Sequence, residues 1–112
     1  MNVYVSVTGF RPHRGITRLV RFWWHTLRAV RQARAASGNL RVALRPVNGI
    51  YHTLTVWTDE ASMRAYVKSG AHRRAMIGFR DLGAGKTLGF VSDAEPSWDI
   101  AYARWQREAR DV

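Results

Sequence analysis

The chain has 112 residues, 46% of them hydrophobic, no cysteine and a formal net charge of +10. This suits one globular domain over residues 1–112 and is too apolar for a disordered tail; disulfides, thiolate metal sites and cysteine nucleophiles are excluded. No apolar run approaches the roughly 18 residues of a membrane span, and the first ten residues lack a signal core, so a cytoplasmic protein is expected.

Asn2 to Arg11 reads as a strand. Val3, Val5 and Val7 share one face; Tyr4, Ser6, Thr8 and Phe10 share the other. Arg11 to Gly15 reads as a loop, and Thr17 as the cap of a helix that runs to about Ala36. Its expected core arc is Leu19, Val20, Phe22, Trp23, Leu27, Val30 and Ala33, with arginines opposite. Leu40 to Val47 is a second strand, Asn48-Gly49 a hairpin turn, and Ile50 to Trp57 a third strand. Helical segments follow at about 59–68 and 70–78. Gly83-Ala84-Gly85 reads as a turn before a fourth strand, Lys86 to Ser92. Ser97 caps a last helix over 97–109, with Trp98, Tyr102 and Trp105 on one stripe.

The resulting order is β-α-β-β-α-β over residues 2–92 plus a C-terminal helix. This is an α+β, ferredoxin-like arrangement. Both faces of its sheet carry apolar residues. A second copy of the chain is the simplest cover for the face away from the helices, so a homodimer is expected.

The stretch from His52 to Met76 is the most specific. It holds a strand ending at Trp57, a capped acidic turn at Thr58-Asp59-Glu60, then Ala61, Tyr66, Lys68-Ser69, Ala71-His72 and Ala75. This pattern resembles the antibiotic-biosynthesis-monooxygenase superfamily. The resemblance implies a dimeric α/β barrel and a hydrophobic small-molecule ligand, aromatic or isoprenoid, held between helices and sheet. It also implies an oxygenase-type enzyme, with cofactor-independent oxygenation as the leading chemistry and a haem-binding oxygenase or sensor as the alternative. The superfamily's haem-degrading branch uses an Asn on the first strand, a Trp on the second helix and a His ten residues later. Here no Asn lies between Val3 and Phe10, and Tyr66 and Met76 occupy the other two positions.

His72 is the catalytic candidate, because an imidazole moves protons near neutrality. Tyr66 and Met76 lie on neighbouring turns and are substrate-contact candidates, as are Trp23, His52 and Trp57. For Trp23 the competing reading is ordinary core, and for His52 a buried structural histidine. The four histidines show no metal-ligand spacing, so no metal site is expected. Gly83-Ala84-Gly85-Lys86-Thr87 lacks phosphate-loop spacing.

Charge is lopsided: residues 1–58 hold nine arginines and no acid. A basic half suits an anionic partner, whether nucleic acid, a lipid surface or an acidic ligand, or simply a solvated face. A non-enzymatic nucleic-acid binder is therefore the third reading.

Overall fold

Alternation along the strands decides which side chains meet which helix. A computed structural model describes residues 2–69, 72, 73, 76 and 82–111. The elements are β1 (Val3–Pro12), α1 (Ile16–Ala35), β2 (Asn39–Val47), β3 (Ile50–Trp57), α2 (Glu60–Val67), β4 (Gly83–Ser92), α3 (Trp98–Glu108) and the two-residue β5 (Arg110–Asp111). His72, Arg73 and Met76 are also helical. Gly70, Ala71, Ala75 and the rest of the expected 70–78 helix lie outside the described residues.

The strands form one antiparallel sheet in the order β2-β3-β1-β4-β5. β3 separates β1 from β2, so the β1-α1-β2 crossover straddles it. This is the split βαβ of the ferredoxin-like fold. The Asn48-Gly49 hairpin forms as expected, with φ of 52° and 80° at the two residues. Asp59 caps α2 by accepting from the Ser62 N–H at 2.8 Å, and Ser97 caps α3 by accepting from the Ile100 N–H at 3.4 Å.

The two sheet faces differ in chemistry. Val5, Val7 and Leu54 are fully buried with Phe90, Ala101 and Trp105 in the core cluster. This valine face is covered by α3, whose Trp105 indole N–H donates to the Lys86 carbonyl at 3.0 Å. Full burial of each aliphatic side chain here contributes on the order of 1.5–3 kcal/mol. The other face presents Ser6, Thr8, Thr53 and Thr55 to α1 and α2, with Phe10 and Tyr51 at one end.

Four sequence readings change. The face expected to need a second copy is covered over its core by the chain's own α3. Gly83 to Gly85 is not a turn but the start of β4, paired with Pro12, Arg11 and Phe10. Gly83 is required there, because a Cβ would collide with the Arg11 carbonyl oxygen. Helix α1 starts two residues earlier, at Ile16, behind Gly15 with no side-chain cap, so Thr17 lies inside it.

The fourth change is the rotation of α1. Its buried residues are Phe22, Thr26, Val30 and Ala33, while Val20 and Leu27 are 63% and 59% exposed. The small residues Thr26, Ala29 and Ala33 let the helix lie over a sheet face made of short hydroxylated side chains.

Gly9 marks the tightest point on the valine face. A Cβ there would collide with the Trp105 ring and come within 2.9 Å of the His52 ring. Gly9→Ala is expected to destabilise the fold by roughly 1–3 kcal/mol through overpacking against α3. Urea unfolding checks this, and an unchanged midpoint would contradict the packing described.

Candidate functional site

The hydroxylated face and the helices above it do not close on each other. A cavity of about 430 Å³ lies between them. Its sheet side is formed by Ser6, Thr8, Thr53 and Thr55, its α1 side by Trp23, Thr26, Ala29 and Ala33. Met63, Tyr66, Val67, His72 and Met76 close it from the α2 side, with Trp57 at the strand end. The size and mostly apolar lining suit a flat organic molecule.

Two aromatic groups hold the walls apart. Phe10, Phe22 and Tyr51 pack together, with Phe10 stacked on Phe22 at 5.0 Å and Phe22 against Tyr51 at 5.0 Å. Trp23 packs edge-on against Tyr51 at 5.1 Å. On the other side Trp57, Tyr66 and His72 form a chain of ring contacts, 5.4 Å and then 5.0 Å between centroids. Tyr66 donates its hydroxyl to the Ala29 carbonyl at 2.9 Å and so ties α2 to α1. Burial pushes its pKa up to about 12, which keeps the phenol protonated and donating.

His72 is positioned by a local cap. The Ser69 hydroxyl oxygen accepts from the His72 N–H at 3.4 Å, and the Ser69 carbonyl accepts from the Arg73 N–H at 3.1 Å. Burial lowers the His72 pKa, and the nearby Val67 carbonyl opposes that by favouring the protonated ring. The ring is thus held neutral around neutral pH, the form that can take a proton.

Among the described residues, three buried polar atoms on the cavity wall have no protein partner: Thr26 Oγ1, Trp57 Nε1 and His72 Nδ1. A buried polar group without a partner costs about 1–3 kcal/mol, so such atoms are normally satisfied. Three on one cavity supply a donor, an acceptor and a hydroxyl for a polar group on a bound molecule. Among the described residues no three histidines or carboxylates gather into a metal site.

The structure brings His72, Tyr66, Trp57, Met76 and Trp23 to this cavity. It does not bring the His52 imidazole there. His52 lies along the cavity boundary, but its ring is on the valine face, edge-on to Tyr102 at 5.1 Å and Trp105 at 4.6 Å. Strand alternation puts its ring beside Leu54 and Val56, so the imidazole packs in the core of the valine face, as the structural reading of His52 expects. Thr26 and the threonines of β3 were missed as site residues. The alternation of Ser6-Thr8 and Thr53-Thr55 was the available signal.

The solved structures that resemble this chain are consistent with one fold. SnoaB, a cofactor-independent oxygenase from Streptomyces nogalater, is 17% identical, with a TM-score of 0.68 over 88% of this chain and 98% of that one. A putative antibiotic biosynthesis monooxygenase from Caulobacter crescentus is 15% identical, with a TM-score of 0.70 over 85% and 92%. One from Nitrosomonas europaea is 13% identical, with a TM-score of 0.69 over 82% and 89%.

The fold is that of the antibiotic biosynthesis monooxygenase proteins. No protein-family model and no curated protein matches the sequence. The expected resemblance therefore holds at the level of architecture, including the α+β, ferredoxin-like element order.

Burial of neutral histidines links stability to pH. The pKa values of His52 and His72 are both lowered, chiefly by burial. Below the ordinary histidine value the unfolded chain takes up protons that the native state excludes. Stability is then complete above about pH 6.5 and falls as the pH drops toward the lower folded-state values. Urea midpoints measured from pH 8 to pH 5 should show this decline, and His72→Leu should flatten it. An identical slope in that variant would contradict the buried, neutral assignment.

Proposed function

We propose that the chain is an oxygenase that uses no bound cofactor and acts on a flat, hydroxylated aromatic molecule held between α1 and the sheet. The observation that carries this reading is the buried His72 Nδ1, which has no partner among the described residues, on an apolar cavity where Thr26 Oγ1 and Trp57 Nε1 likewise have none. The cofactor-independent oxygenase among the proteins of like fold supports it.

Without a cofactor, the electrons that reduce dioxygen come from the substrate. His72 takes a proton from an activated CH₂ or from a phenol conjugated to it. The resulting anion passes one electron to O₂, and the radical pair combines into a C–O bond. The protonated imidazole returns its proton to the peroxide. Loss of the second C–H proton and of hydroxide then leaves a ketone and water. The CH₂ carbon gives up four electrons; one oxygen atom enters the product and the other leaves as water.

In this scheme Tyr66 is a positioning residue, since its hydroxyl is committed to Ala29. Trp57 Nε1 donates to the anion, and the apolar walls exclude water that would stabilise it elsewhere. The residues at the positions where the haem-degrading branch places its Trp and His do not fit that role. Tyr66 is hydrogen-bonded into the helix pair and Met76 replaces the histidine, so no step is routed through haem.

The homodimer belongs to the same proposal. With α3 on the valine face, the support for it moves to β2, a sheet-edge strand that exposes Leu40 and Leu44. Sedimentation velocity should return twice the chain mass, and a monomer at micromolar concentration would remove this part.

A hydroxyanthrone under ¹⁸O₂ tests the reaction. The expected outcome is one labelled oxygen in the quinone product and a rate about 10²–10⁴-fold lower in His72→Ala, the range for losing a general base. Equal rates in the two proteins, with the fold intact, would overturn the assignment of His72.

A further inference from the structure

The exposed side of α1 combines bulky apolar and basic side chains. Ile16, Val20, Trp24 and Leu27 are 81%, 63%, 55% and 59% exposed. At about 100° per residue these four fall within a quarter turn of one another. Arg31 and Arg34 lie along the same stripe, and Arg28 stands over the Trp24 ring at 4.7 Å. The helix contains five arginines and no carboxylate. Among the described residues none of those arginines is in an ion pair.

We propose that this stripe docks on the surface of an anionic phospholipid bilayer. Ile16, Val20, Trp24 and Leu27 enter the interface, and Arg28, Arg31 and Arg34 meet headgroup phosphates.

The combination decides the occupant. A bulky apolar stripe bordered by arginines, with a Trp between them, is the pattern of an interfacial helix. A second copy on this surface would set five arginines against five with no acid on either helix. A nucleic-acid backbone would use the arginines but leave the four apolar side chains in water.

The stripe also adjoins the cavity. Trp23, next to Trp24 in the helix, is half-buried and forms part of the cavity wall. A ligand dissolved in the bilayer would thus reach the cavity beside Trp23. This delivery role rests on the oxygenase reading above, whereas the docking itself does not.

Flotation of the whole chain with vesicles tests the proposal. One set is phosphatidylcholine alone, and the other contains phosphatidylglycerol as roughly a quarter of the lipid. The chain should float with the anionic vesicles at low salt and stay behind with the neutral ones. The double variant Val20→Asp, Leu27→Asp and the double variant Arg28→Glu, Arg31→Glu should each lower the bound fraction at least ~tenfold, with an unchanged circular dichroism spectrum. His72→Ala should float like the parent, so a failed oxygenation assay leaves this result standing. No flotation of folded protein, or equal flotation with neutral vesicles, would overturn the proposal. So would binding to duplex DNA that both displaces the vesicles and survives Val20→Asp, Leu27→Asp, since the surface would then serve nucleic acid.

Discussion

Everything at the site depends on the separation between α1 and the sheet face beneath it. That face is built from Ser6, Thr8, Thr53 and Thr55, side chains too short to reach a helix packed at ordinary distance. Their polarity also makes them poor core, as the Thr8 and Thr87 hydroxyls pair with each other at 3.1 Å rather than with the helix. The helix is kept from collapsing by the Phe10–Phe22–Tyr51 cluster at one end and the Tyr66 hydrogen bond to Ala29 at the other. The gap between these two supports is the cavity.

The opposite face does the reverse. There valine, leucine and phenylalanine meet Trp105 and Ala101, and Gly9 leaves only enough room for two rings. Stability is concentrated on this side and binding space on the other. His52 shows how sharply the pleat divides the two roles. One residue along β3 from Tyr51 and Thr53, its imidazole belongs to the dense side, with neither nitrogen hydrogen-bonded among the described residues. Its buried ring is held in place by edge-on contacts to Tyr102 and Trp105.

Much of this was legible in the residues. The period-two alternation of β1 and β3, the Asn48-Gly49 turn, the helix start at Thr58-Asp59-Glu60, the Ser97 cap and the Trp98–Tyr102–Trp105 stripe all have local causes, and each forms as read. The Tyr66–His72 pairing was also legible, because Ser69 restarts a helix that turns His72 back toward Tyr66, whereas the Trp57 ring contact that extends it was not. What was not legible depends on tertiary context. Apolar periodicity placed Val20 and Leu27 of α1 in the core beside Phe22, Val30 and Ala33, but Val20 and Leu27 are exposed and Thr26 is buried instead, where it fits over threonines. Gly83 to Gly85 carries every mark of a turn, yet the long β1 strand offers partners for them, and glycine permits the close approach at Arg11. Which sheet face would meet which helix also could not be read, since both faces carry apolar side chains.

The central claim is that a planar, hydroxylated ligand binds between α1 and the threonine face with its polar group at His72. A crystal structure of the chain with 2-naphthol tests this most directly. The account predicts the rings lying between Thr26 and the Thr53–Thr55 stretch, with the naphthol oxygen within hydrogen-bond distance of His72 Nδ1. Binding against Tyr102 and Trp105 on the valine face, or a cavity closed by side chains with no ligand in it, would contradict it.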